Sequence, residues 1–227
     1  VEINPGVKRG AFRNDSVYVV SGSYKNSAII YEAPSASLVP KMMKAFLSFV
    51  NSEMHSDLVM SGIAHLHLVL IHPFEDGNGR MARLIGDHVM ARHSEALPGV
   101  LASAEIRKKQ KEYYEILNRT SKGSLDITEW LTWYLERLID AYEEAIRTVQ
   151  RSFAIKAFFE RAVECGINER QDKFLRKVLA EDWKGAITAK KYAAITGCHP
   201  DTANRDLKKL TASGLLHREG NGKNTHY

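Results

Sequence analysis

Nine consecutive residues, His72-Pro73-Phe74-Glu75-Asp76-Gly77-Asn78-Gly79-Arg80, followed three positions later by Arg83, gather an imidazole, a metal-binding carboxylate, two glycines, an amide and two guanidiniums. Those residue types at that spacing suit a phosphate-handling site. Gly77 and Gly79 allow a tight turn that points bare N–H groups at an anion, and a helix opening at about Gly79 would add its N-terminal dipole. Asp76 is a hard oxygen ligand of the kind Mg²⁺ takes. Arg80 and Arg83, three apart on a helix, share one face from which forked guanidiniums can grip phosphate oxygens. His72 is the group there able to accept a proton near neutral pH.

The elements that must position this loop are largely helical. Apolar residues at helical spacing run from Leu38 to Ser52 (Met42, Met43, Phe46, Leu47, Phe49, Val50), and a second helix, apolar nearly all round, is expected from about Leu58 to Leu70. It delivers its C-terminus to His72. A helix from about Arg80 to Arg92 follows the loop, with more at about 104–120 and 127–162. Ahead of them, Ser16–Val20 and Ala28–Tyr31 flank a Gly/Ser/Asn turn and read as a β-hairpin. From about Asn168 the elements shorten: helices at 171–181, 189–195 and 201–213, the last after a Gly197-Cys-His-Pro200 turn, then Leu215–Arg218, a Gly220-Asn-Gly222 tip and a return strand at 225–227. That order predicts a winged helix-turn-helix.

Other residues have plainer readings. His65 and His67, two apart on a helix, point to different sides and cannot share an ion, so they read as packed core histidines. Gly220-Asn-Gly-Lys223 repeats the Gly-Asn-Gly of the loop without its His, Asp or following helix and reads as a wing turn. Pro73 stiffens the loop and Phe74 anchors it, while Glu75 faces solvent.

The chain has 227 residues, 44% hydrophobic and 26% charged, as is ordinary for a globular protein. It shows no apolar run long enough to cross a bilayer and no secretory leader, so a cytoplasmic location without membrane attachment is expected. Cys165 and Cys198 are isolated, which points to neither a disulfide framework nor a zinc site. A net charge of +5 accommodates an anionic ligand without demanding nucleic acid.

From His72 to Arg83 the chain resembles the Fic family, whose signature reads His-Pro-Phe-x-Asp/Glu-Gly-Asn-Gly-Arg-x-x-Arg; every fixed position is present. The resemblance implies a mainly α protein: a Fic-type helical bundle with a β-hairpin flap over residues 1–162 (flap 17–31, catalytic loop 72–80), followed by the winged helix at 168–227. It implies an adenylyltransferase that moves AMP from ATP, with Mg²⁺, to a Tyr, Thr or Ser hydroxyl of a target protein. His72 would be the base and Asp76 the metal ligand. Gly77, Asn78, Gly79, Arg80 and Arg83 would hold the phosphates, with Tyr113 and Tyr114 near the adenine. In the flap, Ile29 and Ile30 would clamp a target segment aligned by strand addition.

Alternatives within the family are removal of AMP and phosphocholine transfer; a kinase-like relative has Lys where Gly79 stands, which favours AMP transfer here. A nucleotide-sensing DNA-binding regulator is the alternative from another class, and the intact His72 and Asp76 argue against it. Basic residues on the last helix and wing (Arg205, Lys208, Lys209, Arg218, Lys223) form only a modest excess, which favours a protein-contact or homodimer role over DNA reading. Many family members are restrained by a helix bearing Ser/Thr-x-x-x-Glu-Gly/Asn, whose Glu pairs with the arginine equivalent to Arg83. No such motif is found upstream of residue 72, and the expectation is that it lies before Val1 or on a partner, leaving this chain constitutively active toward its target and itself.

Overall fold

In the computed structural model, residues 10–21, 28–52, 56–92, 102–123, 125–180, 183–220 and 226–227 are described, with backbone only at 19–21 and 28–30. Among them the chain orders as β1 (Tyr18–Ser21), β2 (Ala28–Glu32), a short 3₁₀ turn (Ala36–Leu38), α1 (Val39–Val50), α2 (Asp57–Ile71), α3 (Asn78–Ala91), α4 (Ala102–Lys108), α5 (Gln110–Lys122), α6 (Thr128–Glu164), α7 (Glu169–Leu179), α8 (Ala189–Thr196) and α9 (Pro200–Ala212). Two compact units divide it, Val1–Ile146 and Arg147–Tyr227. No helix among the described residues is long and apolar enough to cross a membrane.

Helix α2 is the axis of the first unit because its apolar residues serve two cores. Met60, Ala64, Leu68 and Ile71, spaced at three and four residues, form one face that packs with Val39, Met43, Phe46 and Val50 of α1 and Ala82 and Val89 of α3. Leu66 points elsewhere, into a second core with Ile106, Tyr113, Ile116 and the α6 aromatics Trp130, Trp133 and Tyr134. Full burial of each large aliphatic side chain contributes roughly 1.5–3 kcal/mol, so the helix that ends at His72 is held from both sides. Close approach depends on two glycines. A Cβ at Gly62 would lie 2.9 Å from the Tyr134 ring, and one at Gly86 would lie 2.8 Å from the Tyr134 hydroxyl and 3.4 Å from the Ser61 carbonyl.

Strands β1 and β2 pair antiparallel, with Tyr18 opposite Glu32, Val19 opposite Tyr31, and Val20 opposite Ile29. The register skips Ile30, a β-bulge. Of the turn expected at 21–26, Ser21 ends β1 and residues 22–26 lie outside the described residues. The single helix anticipated at 104–120 is two: α4 and α5 meet at Lys109, whose φ of −107° and ψ of 33° leave the helical region. Neither Gly nor Pro marks that break in the sequence.

In the second unit α7 starts with a reciprocal capping box between Asn168 and Gln171, and α8 ends on Gly197 in the left-handed conformation before Pro200 opens α9. Phe174, Leu175, Tyr192, Leu207 and Leu210 form its core. Buried Asp206 accepts from the Tyr192 hydroxyl (2.9 Å) and pairs with Arg170 (3.2 Å), so the three helices share one satisfied carboxylate. Glu219 and His226 form an antiparallel bridge. Of the hairpin tip expected at Gly220–Gly222, only Gly220 is among the described residues.

Candidate active site

The C-terminus of α2 delivers His72 in an unusual backbone state. Its φ of 51° and ψ of 57° are left-handed, and it is the one non-glycine residue with positive φ among those described. For an L-residue that geometry costs roughly 1–2 kcal/mol and persists only where surroundings over-determine it. The imidazole Nδ1 lies 3.2 Å from the Val69 carbonyl. A carbonyl only accepts, so Nδ1 carries the hydrogen and Nε2 keeps its lone pair. Burial pulls the pKa of His72 below the ordinary histidine value; the bond to Val69 opposes this and the positive charge of Arg13 reinforces it. The ring is therefore neutral at pH 7, with one basic nitrogen.

The loop after it is pinned from within. Asn78, 3% exposed, accepts from the Phe74 N–H at 2.9 Å and donates to the Phe74 carbonyl at 2.8 Å. Of the residues read as phosphate ligands, Asn78 thus has both its side-chain oxygen and its side-chain nitrogen bonded to the loop backbone. Gly77, with φ 85°, makes the left-handed turn into α3. The Met81 N–H is the first to bond back, to the Gly77 carbonyl at 2.9 Å. The N–H groups of Asn78, Gly79 and Arg80 thus lie ahead of the helical ladder, where an anion is favoured. The Asp76 carboxylate, 65% exposed, accepts from the Gly77 N–H at 2.6 Å and faces Arg80 at 3.3 Å.

Across the site stand Tyr113, 4% exposed, and Tyr114, 46% exposed, with ring centroids 5.3 Å apart. The Tyr113 hydroxyl lies 3.0 Å from Nε2 of His65, and burial raises its pKa. His65 itself is fully buried, its pKa lowered to about 3 by desolvation and then by the charge of Arg83. His67 is half-buried against the rings of Phe46 and Phe49. No cluster of three or more His, Cys, Asp or Glu able to hold a metal occurs among the described residues.

One cavity of about 420 Å³ is lined by His72, by Glu75 through Arg80, by Arg83, by Tyr113 and Tyr114, and by Tyr18 and Tyr31 of the strand pair. The fold thus brings Asp76, Gly77, Asn78, Gly79, Arg80 and Arg83 to one space with the imidazole. The tyrosines come from a helix about 30 residues further along the chain. Ile29 and Ile30 have their backbone in β2, while their side chains lie outside the described residues. Sequence reasoning missed Arg13, Tyr31 and Asp87. Arg13 is 2% exposed with its guanidinium among main-chain carbonyls, and the Tyr31 hydroxyl donates to the Leu70 carbonyl at 2.5 Å. Asp87 accepts from Ser103 at 2.8 Å; burial raises its pKa, while Ser103, the charge of Arg83 and the Ala102 N–H oppose the rise. Their partners are main-chain groups or residues remote in sequence, so no local motif marks them.

Residues 2–90 match the Fic/DOC family. Over those residues the chain is similar to Fic domains. It is 31% identical over 129 residues to a protein adenylyltransferase Fic of Nematostella vectensis, covering 54% of this chain and 29% of that protein. It is 33% identical over 148 residues to protein adenylyltransferase fic-1 of Caenorhabditis briggsae, covering 63% of this chain and 26% of that one. The chain therefore spans less than a third of either relative. A Fic family protein from Desulfovibrio desulfuricans G20 shares the fold with a TM-score of 0.56 at 23% identity, over 97% of this chain and 62% of that one. A Fic domain containing signaling protein from Bacteroides thetaiotaomicron gives 0.52 at 22% identity, over 65% and 57%.

Proposed function

We propose that the chain transfers AMP from ATP to a hydroxyl side chain of a protein. The observation that carries this reading is the placement of His72, with Nδ1 committed to the Val69 carbonyl and Nε2 available, in the same cavity as the N-terminus of α3 and the two arginines. In the reaction the target hydroxyl oxygen attacks the α-phosphorus, its proton passes to Nε2, and the bond to pyrophosphate breaks. The leading N–H groups of α3 bind phosphate oxygens, and Arg80 and Arg83 offset the charge that builds on the departing pyrophosphate. Such a base contributes ~10²–10⁴-fold, with positioning and electrostatics supplying most of the rest. Tyr113 and Tyr114 offer aromatic surface to the adenine, and the β1–β2 pair is the flap along which a target strand would align.

The residues fit Mg²⁺ accompanying the nucleotide. Asp76 would hold the ion, since among the described residues its exposed carboxylate meets the Gly77 N–H and an exposed arginine that phosphate would draw away. A Mg²⁺ ion commonly takes one or two carboxylates and completes its shell with phosphate and water. When bound, it would neutralise phosphate charge.

The test is transfer from ATP labelled separately at the α- and γ-phosphate, with cell lysate and with the chain alone as acceptor. α-Label should enter protein, including the chain itself, and γ-label should not; His72→Ala and excess chelator should each abolish incorporation. Transfer of γ-label, or α-label transfer undiminished in His72→Ala, overturns the reading.

For the second unit we propose a winged helix used for protein contact. The α8–turn–α9 arrangement and the Glu219–His226 bridge support the architecture. Arg205, Lys208 and Lys209 are exposed on α9, but Lys209 donates to the Gly166 carbonyl at 3.1 Å. Duplex binding should be weak and salt-sensitive; a tight complex with one sequence at physiological salt contradicts this assignment.

A further inference from the structure

Arg13 lies 59 residues before the base, yet its donors converge on the chain around it. Its Nε donates to the His72 carbonyl at 2.7 Å, and Nη2 reaches the Ile71 carbonyl at 3.4 Å. Nη2 also donates to Pro34, just beyond β2, and Nη1 donates to the Asp15 carbonyl at 2.8 Å. The Arg13 main-chain N–H adds a bond to the Pro73 carbonyl at 2.9 Å. One buried residue therefore holds the carbonyls of three successive residues centred on His72. The Ile71 and His72 carbonyls belong to the two peptide groups that must rotate if His72 leaves its left-handed conformation.

We propose that Arg13 is a positioning residue for AMP transfer: its guanidinium fixes the left-handed backbone at His72, and with it the imidazole direction, relative to strand β2. The inference rests on the reading of His72 as the base. With the 72–73 peptide held, Nδ1–H meets the Val69 carbonyl, which leaves Nε2 as the free nitrogen of a residue that lines the cavity. The same guanidinium is tied to Pro34, and Tyr31 of β2 is tied to the Leu70 carbonyl. The base and the strand that would align a target hydroxyl thus share one anchor. A lysine cannot replace it, because a single ammonium lacks the fork that serves carbonyls in different directions at once.

The full chain carrying Arg13→Lys, which keeps the charge, and Arg13→Gln, which keeps a donor, is compared with the unsubstituted chain by two readouts. The first is ¹⁵N NMR of the His72 imidazole, which reports the protonated nitrogen without any assumption about the reaction. The unsubstituted chain should show Nδ1–H at neutral pH, and both variants should shift toward a mixture of tautomers. The second is α-label transfer: kcat should fall on the order of 10²-fold, as for a misplaced reacting group, while KM for ATP stays unchanged. Folding of the variants is checked by thermal unfolding. An unsubstituted His72 protonated on Nε2, folded variants with an unaltered imidazole spectrum and kcat, a rise in KM alone, or loss of the fold in both variants would each overturn the proposal. If the unsubstituted chain transfers no α-label, the reading of AMP transfer fails by itself and the imidazole spectra still decide the role of Arg13.

Discussion

Replacing Asn78 by alanine separates a loop-bracing side chain from a phosphate ligand. The substitution deletes two hydrogen bonds and leaves the N–H and carbonyl of Phe74 without the partners they meet at 2.9 and 2.8 Å. Leaving a buried polar group unsatisfied costs about 1–3 kcal/mol, and water entering the vacated space would lower that figure, so a loss of about 2–4 kcal/mol is expected. At roughly 2–4 °C per kcal/mol for a chain of this size, the unfolding transition of the first unit should drop by about 4–16 °C. Thermal unfolding monitored by tryptophan fluorescence reads that transition, because Trp130 and Trp133 belong to the core that α2 shares. The kinetic signature follows from the same geometry. With the loop unpinned, His72 and the start of α3 lose their mutual placement, so kcat falls more than KM for ATP rises. Asn78→Asp should also be impaired: its carboxylate still accepts from the Phe74 N–H but confronts the Phe74 carbonyl where the amide donated. An Asn78→Ala variant with an unshifted transition and a raised KM for ATP would refute the reasoning and return Asn78 to the phosphates.

Because burial holds the pKa of His72 below the ordinary value and the proposed base is the deprotonated ring, kcat/KM should rise with pH through a midpoint below 6.5 and be level at pH 7–8; a midpoint above 6.5 contradicts it. Gly86→Ala should destabilise the domain by about 1–3 kcal/mol in urea unfolding, since its Cβ would meet the fully packed Tyr134 hydroxyl and the main chain of α2; an unchanged midpoint would show that the helices can separate at no cost. For His65, whose folded pKa is about 3, the unfolded chain takes up a proton below pH 6.5 that the folded chain refuses. Its contribution is present in full above pH 6.5 and is lost as pH falls toward 3 by about 1.4 kcal/mol per unit, so His65→Gln should flatten the acid limb of a stability-against-pH curve.

Much of the loop from His72 to Arg83 was legible in the sequence because its logic is local. Two glycines, a carboxylate and arginines at helical spacing act on groups within about one turn of themselves, and the helices on either side followed from an apolar period that short-range geometry imposes. The Arg80 to Arg92 helix was expected nearly where α3 lies, and the long apolar run before His72 nearly where α2 lies. The bend at Lys109 left no such trace, since it breaks neither the apolar period nor the run of helix-forming residues.

Tertiary structure alone decided what the polar side chains are bonded to. Asn78 has the residue type of a phosphate ligand, and only the folded loop shows its amide turned inward onto Phe74. Arg13 sits in a polar stretch with nothing to distinguish it, because a guanidinium's partners here are main-chain carbonyls at residues 34, 71 and 72, which every sequence possesses. The sequence by itself determined which groups could accept a proton, grip a phosphate or turn a tight corner, since those are properties of single residues and their near neighbours. Which of the imidazole nitrogens is free, and what holds it toward the cavity, depend on contacts across some 60 residues of chain, and folding alone creates those.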